Sequence, residues 1–315
     1  MSAKSAVAMK PVLLVALGGN ALIRKGEAGS TEEQFGNLSV PLGQVARLSK
    51  RFRIVVTHGN GPQVGNLLLQ QECCSAVPRL PLEILVAQTQ GQIGYMIEST
   101  LDNELMKMDG EHEQLIITML TYVLVEENDP AFLNPSKPIG PAFTEEVASR
   151  LPYPVVKTPG GMRRVVASPR PISIIERREI ERLIEMGFLV IACGGGGIPV
   201  VRHGRAFQGI DAVIDKDLAS ARLAEAIRAD IFIMATDVRG VAIGFGTERE
   251  KFLRRLTVEE GDGLLKEGVF PPGSMGPKVE AAVGFIRSGG KKAVICSIEE
   301  IEQAIAGEAG TEVVA

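Results

Sequence analysis

Gly209-Ile-Asp-Ala-Val-Ile-Asp-Lys-Asp-Leu-Ala-Ser220 reads as a loop that turns into a helix, with Asp215 as N-cap and the helix continuing through Arg222-Leu-Ala-Glu-Ala-Ile227. Lys216 then sits in the first helical turn, at the positive end of the helix dipole. A cation there costs roughly 0.3–1 kcal/mol unless an anion stands in front of it. The same arrangement recurs at Gly273-Ser-Met-Gly-Pro-Lys278, where Pro277 suits the first helical position and Lys278 the second. Either lysine alone reads as a solvated surface residue. The two together, beside the glycine loops upstream, point to a polyphosphate.

Three apolar runs of buried-strand length end in glycine. Pro11-Val-Leu-Leu-Val-Ala-Leu17 leads into Gly18-Gly19-Asn20, and Arg53-Ile-Val-Val-Thr57 into His58-Gly-Asn-Gly-Pro-Gln-Val-Gly65. Phe188-Leu-Val-Ile-Ala192 leads into Cys193-Gly-Gly-Gly-Gly-Ile-Pro199, where the entropy of ordering four glycines calls for a backbone that comes close to a bulky anion. Further strands are expected at Leu115 to Leu120, Ile231 to Ala235 and Lys292 to Ile295. Capping boxes at Ser30 to Glu33, Ser173 to Glu176, Thr257 to Glu260 and Ser297 to Glu300 open helices. The first of these helices runs toward Lys50 and is interrupted at Pro41. A long helix spans about Pro81 to Met108. Its Ile84, Ala87, Gly91 and Gly94 allow close packing against a helix of the same chain or of a second subunit.

Alternating strands and helices predict an α/β fold, a three-layer αβα sandwich around a mostly parallel open sheet whose carboxyl ends hold the ligands. Nine of the 18 prolines lie between Pro130 and Pro171, a density no regular crossover helix tolerates. A small protruding subdomain is therefore expected at about 125–172, as a lid or as a proline-stiffened excursion. Residues 1–10 read as a loose tail and 11–315 as one domain.

The 315 residues are 45% hydrophobic, enough for a large core, and 38 acidic against 34 basic side chains give a net charge of -4. The charges are interspersed, which argues against nucleic acid or an anionic membrane as partner. No run is long enough to span a bilayer and no signal peptide is evident, so the chain reads as cytoplasmic. The four cysteines show no CxxC spacing and read as reduced, packed hydrophobes, Cys193 included.

No G-x-x-x-x-G-K-[ST] is present, and the protein-kinase signatures H-R-D and D-F-G are absent. Gly59-Asn-Gly-Pro-Gln-Val-Gly65 is one residue off the G-x-G-x-x-G fingerprint, which makes a nicotinamide dehydrogenase the competing reading of that loop. Such a site uses one glycine loop, however, and this chain has three plus two lysines at helix starts. The chain resembles the carbamate kinases, within the amino-acid kinase superfamily, from Val12 to Ala306. The resemblance rests on Leu17-Gly-Gly-Asn-Ala21, Thr57-His-Gly-Asn-Gly-Pro-Gln-Val-Gly65, Ser136-Lys-Pro-Ile-Gly-Pro141 and Arg163-Arg-Val-Val166. It continues in Gly194-Gly-Gly-Gly-Ile-Pro199, Ala212-Val-Ile-Asp-Lys-Asp-Leu-Ala219 and Pro272-Gly-Ser-Met-Gly-Pro-Lys278.

The resemblance implies reversible, magnesium-dependent phosphoryl transfer between ATP and carbamate, giving ADP and carbamoyl phosphate, by a homodimer. It implies Lys137, Lys216 and Lys278 as the cations around the phosphoryl group, with Asp217 orienting them. Gly18, Gly19, Asn20, Gly59, Asn60, Gly61, Gly195 and Gly196 match the part that meets carbamate and phosphate. Asp237, Met275 and Gly276 match the nucleotide side. The protein ligands of Mg2+ stay open among Asp211, Asp215 and Asp217, which also read as caps or lysine partners. This chain departs from the family pattern at Ala142 and Ala242, where an aromatic is usual, and at Cys193, where serine is common. A kinase of another carboxylate, such as N-acetylglutamate, aspartate or glutamate, and a non-catalytic ATP-binding regulator are the alternatives. The residue chemistry suits carbamate: an anion attacks phosphorus without a general base, so the site needs cations and backbone N–H groups rather than histidine.

Overall fold

The computed structural model describes residues 10–158, 160–270 and 275–315. The tail expected at the N-terminus and the segment Pro272 to Ser274 lie outside these, apart from Lys10. Along the chain come β1 (Val12–Leu17), α1 (Thr31–Leu48), β2 (Arg53–His58), α2 (Gly61–Glu72), α3 (Leu82–Asp109), β3 (Ile116–Thr118) and β4 (Tyr122–Leu124). There follow β5 (Lys137–Phe143), α4 (Glu145–Ala148), β6 (Val155–Thr158), β7 (Gly161–Val166), β8 (Ser173–Ile174) and α5 (Arg177–Glu185). Next are β9 (Leu189–Ile191), β10 (Ile198–His203), β11 (Ala206–Gly209), α6 (Lys216–Ala226) and β12 (Ile231–Thr236). The chain closes with β13 (Ala242–Ile243), β14 (Lys251–Phe252), β15 (Arg255–Thr257), α7 (Val258–Lys266), α8 (Met275–Arg287), β16 (Lys292–Ser297), α9 (Ile301–Ala306) and β17 (Thr311–Val314).

Strand β1 explains the layering. Side chains alternate across a strand, and here both sets are apolar. Val12, Leu14 and Ala16 join one core with Ile180 and Ile184 of α5, Leu223 of α6 and Val279 and Val283 of α8. Leu13, Val15 and Leu17 join the other, with Leu38 and Leu42 of α1, Ile93 and Ile97 of α3 and Ile301 of α9. A sheet buried on both faces between helices is the expected αβα sandwich. Its order is β15-β17-β16-β12-β1-β2-β9-β3. Every neighbouring pair is parallel except β16 and β17.

Register aligns the strand ends. Leu17 lies opposite both His58 of β2 and Ala235 of β12, and Ile191 of β9 lies opposite Val56. The loops beginning at Gly18, Gly59, Cys193 and Asp237 therefore leave one edge of the sheet at one level. A second sheet, β11-β10-β4-β8, flanks that edge.

Within the proline-dense span, β5, β7 and β6 form a separate antiparallel sheet. It rests on α2 through a contact that only glycine permits, since a Cβ on Gly65 would fall 2.0 Å from the Gly140 nitrogen. Arg164 of β7 adds an ion pair to Glu72 at 2.6 Å and stacks over the Tyr153 ring at 4.0 Å. Ile139 of β5 fills a small core with Val64, Leu82, Val86 and Val213.

Several expectations are corrected. The capping boxes at Ser30 and Thr257 form, but those at Ser173 and Ser297 do not. Ser173 pairs with Leu124 in the second sheet, and the Glu176 carboxylate accepts the N–H of Tyr122 instead of capping back onto Ser173. Ser297 ends β16, opposite Thr236, so its helix starts later, at Ile301. Helix α1 runs unbroken through a buried Pro41. The strand expected from Leu115 to Leu120 narrows to three residues, because Leu115 and Leu120 point into solvent. Cys73 and Cys74 are exposed rather than packed, while Cys193 and Cys296 are buried. Lys278 is the fourth residue of the described part of α8, not the second, and Pro277 is the third.

Candidate active site

Helix α6 begins as expected. The Oδ1 of Asp215 accepts from the N–H groups of Asp217 at 2.9 Å and Leu218 at 3.3 Å. Its other oxygen accepts from Lys137 Nζ at 2.6 Å, so one carboxylate both caps the helix and fixes the lysine delivered by β5. Asp217 sits one turn-step further in and bridges two lysines, accepting from Lys216 Nζ at 2.5 Å and from Lys278 Nζ at 3.0 Å. Three elements far apart in sequence thus converge on α6's first turn.

Asp215, Lys216 and Asp217 are all less than one-tenth exposed. Burial alone would raise the Asp217 carboxyl, but the ammonium groups of Lys216 and Lys278 override it and hold the group well below the usual carboxylate range. Asp215 is lowered in the same way, burial opposing and Lys137 prevailing. Burial, and then the neighbouring Lys278 charge, pull Lys216 below an ordinary lysine even against Asp217. For Lys278 burial also pulls downward, but Asp217 wins and the group is raised. Three ammonium groups gather around the carboxylates of Asp215 and Asp217, with Asp237 also acting on Lys278, and this concentrates positive charge in a largely buried place. Such charge is costly unless an anion is paired with it.

The glycine loops close around this cluster. A Cβ on Gly59 would lie 3.4 Å from Lys216 Cδ and 3.5 Å from the Gly19 nitrogen, so the second loop touches both the first loop and the lysine stem. Gly18 donates its N–H to Ala235 at 2.9 Å and leaves no room for a side chain, whereas a Cβ on Gly19 would meet nothing within 4 Å. The short 3-10 turn from Gly19 to Ala21 opens toward that space with leading N–H groups that have no intrahelical partner. Gly61 starts α2 next to the Pro138 carbonyl of β5.

The third loop lies lower than the sequence suggests. Gly195 and Gly196 are buried. A Cβ on Gly195 would meet the Asn60 amide at 2.2 Å, and one on Gly196 the Ile214 carbonyl oxygen at 2.6 Å. They pack beneath the second loop, whose Asn60 fills the space a side chain on Gly195 would take. Asn60 turns its side chain inward, donating to Thr89 Oγ1 at 2.9 Å, while its carbonyl accepts the N–H of Val64 at 2.9 Å. On the other flank, Asp237 is exposed at the end of β12 and its charge is felt by Lys278, while half-buried Met275 and Gly276 begin the described part of α8.

Sequence reasoning listed Lys137, Lys216, Asp217 and Lys278, and the structure brings all four together. It left Asp215 undecided between cap and lysine partner, and it is both. It missed His58 and Ser220. His58 is buried between the loops, its Nδ1 3.0 Å from the Gly59 oxygen, and burial brings its pKa down to about 4, so the ring is neutral. The Ser220 hydroxyl bridges the Lys216 carbonyl and Thr57, both at 2.6 Å. Position at a strand end and one turn into α6 was the only signal for either. Cys193 is no nucleophile: burial pushes its thiol up to about 12.

The description "Amino acid kinase family" matches residues 11–297. The carbamate kinase of Pyrococcus furiosus is 46% identical over 96% of this chain and 98% of its own, and that of Thermococcus kodakarensis is 47% identical with the same coverage. The solved structure of the carbamate kinase from Giardia lamblia bound to AMP-PNP is 37% identical, covers 98% of this chain and 99% of its own, and superposes with a TM-score of 0.87. An anion-seeking lysine cluster ringed by glycine loops at the sheet's carboxyl edge is what phosphoryl transfer requires. The chain belongs to the amino acid kinase family and, within it, to the carbamate kinases, enzymes that phosphorylate carbamate.

Proposed function

We propose that Lys137, Lys216 and Lys278 surround the phosphoryl group as it moves between ADP and carbamate, with Asp215 and Asp217 holding the three ammonium groups in place. An oxygen of carbamate forms its bond to the γ-phosphorus of ATP while the bond to the bridging oxygen of ADP breaks, and the reverse step makes ATP. Neither direction needs a proton taken from carbamate, in keeping with a neutral, buried His58. Each ammonium group about 4 Å from a phosphate oxygen contributes of order 4 kcal/mol at an effective dielectric near 20, before desolvation is subtracted. Gly18, Gly19, Asn20, Gly59, Asn60 and Gly61 hold carbamate and the transferring group through backbone N–H groups. Gly195 and Gly196 act from beneath. Asp237, Met275 and Gly276 take the nucleotide.

The observation that carries these roles is the pair of lysines bridged by one buried carboxylate, Lys216 and Lys278 on Asp217. Replacing Lys278 by alanine is expected to lower kcat for ATP formation from carbamoyl phosphate and ADP by roughly 100- to 1000-fold, as for loss of one charge-stabilising donor. A variant at wild-type rate would remove Lys278 from the chemistry.

The residues present suit magnesium carried in on the nucleotide. Among the described residues no three His, Cys, Asp or Glu side chains converge as a cage, and Asp215 and Asp217 are committed to lysines. When bound, the ion neutralises charge on the phosphate oxygens. Residues 11–315 act as one catalytic unit, with about 125–172 protruding as a flap that brings Lys137 to the site.

A homodimer is supported by the open edge of the main sheet at β3 and the outer face of α3. Tyr95, Met106, Leu115, Leu120 and Tyr122 are exposed there around Gly91. Sedimentation of the purified protein tests it, and a monomer at all concentrations would reject it. No helix among the described residues is long and apolar enough to cross a membrane. We place the enzyme in the cytoplasm, in arginine metabolism, where the reversible step yields ATP or carbamoyl phosphate.

A further inference from the structure

On β2, Val55 and Thr57 share the face that packs toward α6, and they lie opposite Leu14 and Ala16 of β1. Leu14, Ala16 and Val55 meet Ala219 and Leu223 of α6 there in one apolar core. An apolar side chain would complete that surface at position 57. The chain instead places a hydroxyl on it, and a second one, that of Ser220, comes from α6. Both residues are wholly buried. Two hydroxyls in an apolar layer are costly unless each is hydrogen-bonded, and these bond to each other at 2.6 Å. The direction of the bonds follows from the group at the end. The Lys216 carbonyl can only accept, so the Ser220 hydroxyl donates to it, at 2.6 Å. That spends the one proton of Ser220, and Thr57 must supply the proton of the bond between the hydroxyls. A one-way chain therefore runs from the end of β2 through Ser220 to the backbone of Lys216.

What the chain ties together are two parts of the site. Thr57 immediately precedes His58-Gly59-Asn60-Gly61, and within that loop a Cβ on Gly59 would stand 3.4 Å from Lys216 Cδ. Length decides what the tie does. The hydroxyl oxygens stand 2.6 Å apart, whereas apolar atoms settle at about 3.5–4.0 Å, so an apolar pair would hold strand end and helix start about 1 Å further apart. A misplacement of about that size costs on the order of 100-fold in a reaction that depends on alignment. We propose that Thr57 and Ser220 are positioning residues, which set the distance between the second glycine loop and the Lys216 ammonium, and so the alignment of the transferring phosphoryl group, without touching a reactant.

The inference rests on the role given to Lys216 in the carbamate kinase reaction. ATP formation from carbamoyl phosphate and ADP is measured for the wild type, Thr57→Val, Thr57→Ser, Ser220→Ala and Lys216→Ala, with kcat counted per ADP-binding site so that unfolded enzyme is not scored. Thr57→Val keeps the shape and removes the hydroxyl. It is expected to lower kcat about 10- to 100-fold while KM for ADP stays within about two-fold, as for an alignment realised in the transition state. Thr57→Ser keeps the hydroxyl and is expected to hold kcat within about three-fold of the wild type. Ser220→Ala breaks the same chain from the helix side, should match Thr57→Val, and carries the test should Thr57→Val fail to fold. Combining the two should be no slower than the slower single variant, since both break one chain. Full kcat in Thr57→Val or Ser220→Ala would reduce the hydroxyls to core packing, and a Thr57→Ser as slow as Thr57→Val would trace the effect to side-chain shape; either overturns the proposal while Lys216→Ala remains slow. Lys216→Ala at the wild-type rate would overturn the underlying role of Lys216, and the inference with it.

Discussion

The runs Leu17-Gly-Gly-Asn20 and Cys193-Gly-Gly-Gly-Gly197 look alike as sequence, each closing a buried strand of the same sheet on either side of β2. In space they differ. Gly19 borders open space beside the lysine cluster, and its φ lies outside the left-handed region. Gly195, Gly196 and Gly197 have φ of +64°, +88° and +94°, and the space where their side chains would be is filled by Asn60, Ile214 and Val123. One run has open space where a side chain would stand at Gly19, whereas the other is glycine so that the protein can pack. Glycine content alone does not separate a ligand loop from the floor beneath it.

The largest test of that contrast replaces one glycine in each run. Gly195→Ala forces a side chain into the Asn60 amide at a left-handed residue, and is expected to cost about 3–5 kcal/mol of stability, read by urea unfolding. Gly19→Val should leave the unfolding midpoint nearly unchanged but lower kcat/KM for carbamoyl phosphate by about 100-fold, since it fills the approach to the site. Interchanged outcomes would reverse the roles given to the two loops.

His58 joins the two regions, bonding to Gly59 and packing against Gly194. Its folded pKa of about 4 lies below the value near 6.5 of an unfolded histidine. Between those values the unfolded chain holds the proton and the folded chain does not, so this contribution is complete above pH 6.5 and is lost as pH falls toward 4. The loss is on the order of 3 kcal/mol over that window for a fully buried ring. Unfolding free energies of His58→Asn should be flatter than wild type from pH 6.5 to 4. Equal slopes would mean that the imidazole is not held neutral in the fold. The depressed carboxyls of Asp215 and Asp217 act lower still, their contribution being lost as pH falls below about 4.

A smaller effect is expected under the second loop. Thr89→Val removes the acceptor of the Asn60 side-chain amide and should destabilise by about 1–2 kcal/mol, with some loss of activity because Asn60 belongs to the site loop. Stability loss without any change in kcat/KM would detach Asn60 from the reaction. The smallest effect separates two look-alike capping boxes. Ser30→Ala should cost about 1 kcal/mol, since its hydroxyl caps α1, and Ser173→Ala less than about 0.5 kcal/mol, since no helix depends on it. Similar costs at both positions would mean that the Ser30 box adds nothing to α1.

Much of this protein was legible locally. Continuous apolar runs such as Val12 to Leu17 announce strands buried on both faces, and Asp215 before Lys216 announces a helix start with a cation in the wrong place. Motifs such as Gly59-Asn-Gly-Pro-Gln-Val-Gly65 carried the family. What stayed hidden depends on neighbours that sequence separation conceals. Ser173 and Ser30 begin the same four-residue pattern, but a strand pairing with Leu124 takes Ser173 out of helix. The sequence by itself determined the strand and helix alternation and the residue types of the site, because hydrophobic period and capping chemistry are properties of a few consecutive residues. Only the tertiary structure decided which carboxylate holds which lysine and which glycine run borders open space rather than packed protein. Those are set by strand register and by contacts such as Lys278 on Asp217, formed between elements that meet only when the sheet is assembled.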